Sequence, residues 1–153
     1  MLSQTSEYAL RAVVWLADSP ASKPVGVQPI ATGTQVPASY LPKVLQELTR
    51  AGLVGSRRGV GGGYFLTRPA AEITVLEVIN AVDPIRRIEG CPLGLASHQE
   101  RLCAMHARMD HAIALVEEAL RESTLADLVA APDRPKPMKE DGPEPLLPIV
   151  DQS

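Results

Sequence analysis

Apolar positions along the chain change rhythm several times, and each change marks an element. Leu41, Val44, Leu45 and Leu48 recur at helical spacing, so one face of a helix opened by Ser39 is apolar. Tyr40, Lys43, Glu47 and Arg50 fall on a different, free face. Gly52 is a helix stop, since glycine enters the left-handed cap at little cost. Leu53–Arg57 and Tyr64–Thr67 then read as two strands around Gly59-Val60-Gly61-Gly62-Gly63, a hairpin with a flexible tip and with Arg57 and Arg58 at its base. Upstream, Leu10, Val13, Val14 and Ala17 give a first helix over Ser6–Ala17, with Thr5 or Ser6 as its cap and Glu7 in its first turn. Pro29 suits the first position of a short second helix, Ile30 and Ala31 point inward, and Gly33 ends it. Pro42 fits only the first turn of the third helix, which places the cap at Ser39.

Downstream, Thr74 to Glu77 is a capping box for a fourth helix carrying Val75, Val78, Ile79 and Val82, and Pro84 stops it. Ile85–Gln99 lacks a period and reads as a loop. A long helix follows over Arg101–Glu122. Its apolar seam, Leu102, Met105, Met109, Ala112, Val116 and Ala119, has two positions per heptad and asks for a partner helix, best a second copy of the chain. Ser123 or Thr124 caps one further short helix to Ala130. Residues 131–153 hold six prolines without periodicity and read as a disordered tail, in which Leu146, Leu147, Ile149 and Val150 are the apolar positions. The fold class is therefore mainly α with a small β-hairpin wing (α+β). The expected divisions are a winged helix-turn-helix at 1–84, a ligand loop at 85–100, a dimerisation helix and short helix at 101–130, and the tail.

Charge sharpens this picture. The 153 residues carry a net charge of −3, but residues 38–68 set Lys43, Arg50, Arg57, Arg58 and Arg68 against Glu47 alone. A helix followed by a basic ribbon is the pattern of a protein that meets DNA phosphates. No apolar run reaches membrane length and no signal segment is evident, so a cytoplasmic location is expected. No nucleophile–base pair or phosphate loop argues for an enzyme, because GVGGG lies between two strands rather than before a helix.

Two cysteines suit reduced thiols or metal ligands better than a disulfide scaffold. Cys91, Cys103, His106 and Glu7 supply two thiols, an imidazole and a carboxylate, a set able to hold a [2Fe–2S] cluster or zinc; inert thiols are the other reading. His111 reads as a surface residue.

The segments EYALRAVVWLA, SYLPKVLQELTRAGLVGSRRGVGGGYFLTR, EITVLEVINAVD and STLADLV resemble the Rrf-type bacterial transcription regulators, the family of the iron–sulfur cluster regulator and the nitric-oxide-sensing repressor. The resemblance covers about residues 1–130 and implies a dimer on double-stranded operator DNA, with the third helix in the major groove and the wing at the adjacent minor groove. By position it implies base-reading sites at Ser39, Pro42 and Lys43 and a minor-groove arginine at Arg58; Tyr40, Arg57, Gly61 and Gly62 are the further candidates for DNA contact. Pro42 stands where such members often have a polar residue. It also implies a [2Fe–2S] cluster that senses redox or nitric-oxide and iron status, with Cys91 and Cys103 as first and third cysteines, His106 three residues on, and Glu7 at an acidic ligand position. Ser97 occupies the middle cysteine position, and the adjacent His98 is a possible substitute. The alternative is a cluster-free winged-helix regulator controlled by thiol oxidation, an effector or a protein partner. An interaction module without DNA is a third.

Overall fold

A computed structural model describes residues 2–21, 23–98 and 100–139. Helix α1 (Gln4–Asp18) buries Ala9, Ala12, Val13, Val14 and Leu16. Its cap is Ser3, not Thr5 or Ser6: the Ser3 hydroxyl accepts from the Ser6 amide at 3.2 Å. Thr5 and Ser6 therefore lie inside the helix. The Thr5 hydroxyl bonds Tyr40, and Ser6 is buried.

Helix α2 (Val27–Thr34) starts two residues before Pro29 and runs through Gly33. Gly33 is therefore not a stop. A Cβ there would lie 2.2 Å from the Trp15 ring, so the missing side chain is what lets α1 and α2 approach. Gln35, in the left-handed region at φ 55°, ends the helix.

Helix α3 (Leu41–Arg50) begins at Tyr40, not Ser39. The amides of Tyr40 and Leu41 both donate to the Pro37 carbonyl, at 2.9 and 3.0 Å. Pro42 has no amide and Lys43 donates to Tyr40, so no donor in this turn needs the Ser39 hydroxyl. At the other end Gly52, φ 75°, donates to Thr49 while Leu53 donates to Leu48. This pair of bonds turns the chain sharply into the wing and buries Leu48 and Leu53.

The wing pairs β1 (Val54–Arg57) with β2 (Gly63–Leu66) antiparallel, Val54 opposite Leu66 and Arg57 opposite Gly63. Val25 adds a bridge on the outer edge, exchanging two 2.8 Å main-chain bonds with Tyr64. The tip is a closed turn. The Gly62 amide donates to the Gly59 carbonyl at 3.0 Å, and a Cβ on Gly62 would meet the Arg57 carbonyl at 2.3 Å.

After a short 3-10 turn (Ala70–Glu72), α4 (Val75–Val82) starts with the expected capping box, Thr74 and Glu77 bonding reciprocally. A second 3-10 turn lies at Ala96–His98 within the irregular arm. Helix α5 (Ala104–Glu122) opens at Cys103, so Leu102 precedes the helix instead of joining its seam. Helix α6 (Leu125–Ala130) has its own capping box, Thr124 with Asp127. The two boxes meet: Val75 donates to Ser123 at 2.8 Å and Leu125 donates to Ile73 at 2.9 Å. Leu125 is fully buried in the core that α1, α2, α3 and α4 share.

Residues 131–139 differ from the expected disorder. They fold back on α1, where Met138 packs against the core and Lys139 pairs with Asp18. Leu146, Leu147, Ile149 and Val150 lie outside the described residues. Among the described residues, no helix is long and apolar enough to cross a membrane.

Gly63→Ala tests the attachment of the wing, because a Cβ there would lie 2.5 Å from the Val25 backbone. Backbone on both sides has little room to yield, so the substitution should cost about 2 kcal/mol or more. A urea-unfolding midpoint equal to that of the unsubstituted chain would show that the bridge gives way freely.

Candidate nucleic-acid interface and sensor arm

The cations of the helix and wing fall into two groups. Arg50 is held by Glu47 at 2.9 Å and Arg68 by Glu77 at 2.7 Å. Arg68 also donates to the Glu72 carbonyl, so it fastens the wing root to α4. Burial alone pushes the Glu77 carboxyl up, but the Thr74 amide, Arg68 and the Thr74 hydroxyl hold it below its usual value. Arg68 is thus a structural cation, although the charge count placed it with the others. Among the described residues, Lys43, Arg57 and Arg58 form no ion pair, and all three are exposed. Ser39 and Gly61 are exposed, and Gly62 is half-buried.

Tyr40 does not lie on a free face. Its hydroxyl bonds Thr5 at 2.7 Å, its ring meets Tyr8 edge-on at 5.8 Å, and the Lys43 ammonium sits 5.7 Å from its centroid. The ring acts as a platform that holds Lys43 at the start of α3. The contact spans 35 positions in sequence, and no local pattern announces it.

The sulfur donors lie on the arm between α4 and α5. The Cys91 sulfur is 3.5 Å from Nδ1 of His98, and the Cys103 sulfur is 3.4 Å from Nδ1 of His106. Both thiols are half-buried, whereas His106 is buried. The Leu95 amide, then His98, then the Leu93 amide hold the Cys91 thiol below its ordinary value. Ser97 is exposed, and His98 takes the position beside Cys91. Glu7 joins neither pair; it is exposed on α1 and paired with Arg11. Among the described residues, no three His, Cys, Asp or Glu side chains come together as a metal-holding group. His111 is exposed on α5.

A clasp fixes the start of this arm. Arg87 grips Asp110 of α5, Nε to Oδ1 at 2.7 Å, and reaches Glu117 at 3.5 Å, while the Ile88 amide donates to Asp110 at 2.8 Å. The Arg87 bond, then the Ile88 amide, push the Asp110 carboxyl down to about 2. The clasp is therefore ionised throughout the neutral range. The loop reading of the sequence missed it; Arg87 and Asp110 are 23 residues apart.

The Rrf2 family, described as iron-dependent transcriptional regulators, matches residues 2–131. The chain is 34% identical over 132 residues, 86% of its length and 80% of the relative's, to an Azotobacter vinelandii protein named as an HTH-type transcriptional regulator. Among solved structures it resembles CymR, the global cysteine regulator of B. subtilis, with a TM-score of 0.72 and 27% identity over 87% of this chain and 98% of that one. It also resembles T. potens IscR, with a TM-score of 0.68 and 28% identity over 83% and 84% of the two chains. The chain belongs to the Rrf2 family of transcriptional regulators, which are DNA-binding proteins and not enzymes.

His98→Ala should slow alkylation of Cys91 by iodoacetamide about threefold at neutral pH, since less of the thiol is then ionised. The two rates should merge at strongly alkaline pH, where both thiols are thiolates. Peptide mass spectrometry separates Cys91 from Cys103. An unchanged neutral rate would assign the lowered value to the Leu95 and Leu93 amides alone.

Proposed function

We propose, on the premise of that family membership, that the chain acts in the cytoplasm as a homodimer on operator DNA. In this reading α3 enters the major groove, the wing reaches the adjacent minor groove, and the arm from Cys91 to His106 sets the affinity. The observation that carries it is the sorting of the cations. Among the described residues the fold pairs Arg50 and Arg68 internally and leaves Lys43, Arg57 and Arg58 exposed without an ion pair at the start of α3 and on the wing. Free cations at those two places release counterions from phosphates, which is the main source of DNA affinity. Ser39 is exposed and has no capping role, so its hydroxyl is available to a base edge, and Pro42 beside it offers only apolar contact.

Helix α5 supports the dimer. It is amphipathic in the inverted sense: His106, Asp110, Ile113, Glu117 and Leu120 face its own body, while Met105, Met109, Ala112, Val116 and Ala119 face solvent. An apolar stripe of that length facing water calls for a matching stripe, and a second copy supplies one.

The donors on the arm have the chemistry for a [2Fe–2S] centre, held by Cys91, Cys103 and His106 with His98, or Glu7 of a second copy, completing the set. Such a centre, when bound, supplies a one-electron change of charge at the arm. The chain's part is to present two thiols and to hold each beside an imidazole, at 3.5 and 3.4 Å. A common centre would have to draw the two pairs together. Because Cys103 opens α5 and Arg87 is clasped to Asp110, that movement bears on the dimer helix. A second reading, a regulator governed by thiol oxidation, is favoured by the separation of the donors into two pairs.

Anaerobically purified protein should show visible absorption together with iron and sulfide. Colourless protein without either, even after reconstitution, would remove the cluster and leave the thiol reading. Val116→Asp places a carboxylate in the outward stripe of α5 and should yield monomers by light scattering, with operator affinity down at least ~10-fold. A variant that stays dimeric would move the interface off this helix.

A further inference from the structure

The wing tip carries a feature that charge does not explain. Val60 is fully exposed at the apex, the most solvent-exposed large apolar side chain among the described residues. Its presentation is built into the loop. The Gly62 amide closes a turn onto the Gly59 carbonyl, and Gly61, at φ 72°, occupies the third position as a type II turn requires. Gly62 packs on the Arg57 carbonyl and Gly63 on the Val25 backbone, so the loop is braced from below. Arg57 and Arg58, both exposed, lead into the turn from β1. The apex is thus a single isopropyl group on a narrow closed turn, with two cations directly before it in the chain.

The minor groove of B-DNA is only about 6 Å wide, which suits a one-residue apex rather than a helix. An A·T pair shows acceptors there and no donor, whereas a G·C pair adds the guanine 2-amino group at the centre of the groove. An isopropyl group offers that amino no acceptor and displaces the water it would otherwise bond, so the donor is left unsatisfied. The two arginines act in the same direction, because A·T tracts narrow the groove and deepen its negative potential. We propose that Val60 is a specificity-determining residue of the wing, which admits A·T pairs and excludes G·C pairs by sensing the minor-groove amino group. This rests on the reading of α3 and the wing as the DNA interface.

The test uses the full chain and duplexes recovered with it by in vitro selection. Replacing adenine by 2,6-diaminopurine adds the minor-groove amino group and leaves the major-groove edge in place; replacing guanine by inosine removes the amino. At one or two steps per half-site, diaminopurine should weaken binding about 5- to 50-fold. Inosine in place of a guanine introduced at those steps should restore it. Val60→Gly and Val60→Ser, which remove a side chain that touches nothing in the fold, should erase both effects while retaining binding. Indifference of the unsubstituted chain to the amino group at every step overturns the proposal, as does the same step pattern in Val60→Gly. Lys43→Glu with Arg58→Glu separates the two levels. If the double variant binds as well as the parent, the interface itself is elsewhere and the proposal falls with it. If binding is lost but Val60→Gly keeps the parent's pattern, only the role of Val60 falls.

Discussion

The structure depends on a pair of main-chain bonds where two capped helix starts meet. Val75 donates to Ser123 and Leu125 donates to Ile73, so Thr74 and Thr124 lie side by side in a bridge. Each flanking capping box satisfies its own helix, and the bridge ties them into one joint. The joint fixes the end of α5 against the start of α4 and delivers Leu125 into the core. It also lies beside the wing root, since Glu77 of the first box holds Arg68. Helix α5 has 19 residues against eight in α4, about 28 Å against 12 Å. Its first turns return to the body as well: His106 is buried, and Arg87 and the Ile88 amide hold Asp110. The exposed Met105 and Met109 lie on the opposite face of the same turns.

What the sequence made legible was periodic or local. The rhythm of Leu41, Val44, Leu45 and Leu48, the Gly52 stop and the Thr74–Glu77 box each depend on residues within one or two turns, and each stands in the fold as read. The misreadings share another origin. Thr5 looks like a cap but bonds Tyr40, and the cap is Ser3. Gly33 looks like a stop, yet it exists for Trp15. Residues 131–139 carry the composition of a tail, but Met138 finds core to cover. At each of these positions the deciding neighbour is far away in sequence, where no local pattern can register it.

The same distinction runs through the charged residues. Counting five cations between residues 38 and 68 identified a basic segment without saying which of them face a ligand. That division depends on Glu47 and Glu77, one in the same helix and the other across the wing root. Tyr40 behaves alike: it sits on the polar side of its helix, and only the Thr5 hydroxyl turns it from a contact into a support for Lys43. On the arm, composition named the thiols and imidazoles, and the fold arranged them two by two.

The braced glycines of the wing also limit how this protein can change. Gly59 and Gly61 hold left-handed backbone, and Gly62 and Gly63 press against neighbouring main chain. Between residues 59 and 63, Val60 is the position that meets neither left-handed backbone nor neighbouring main chain. Change at the tip is therefore easiest at this one codon. The four glycines around it resist replacement, Gly59 and Gly61 by their left-handed backbone and Gly62 and Gly63 by the main chain beside them.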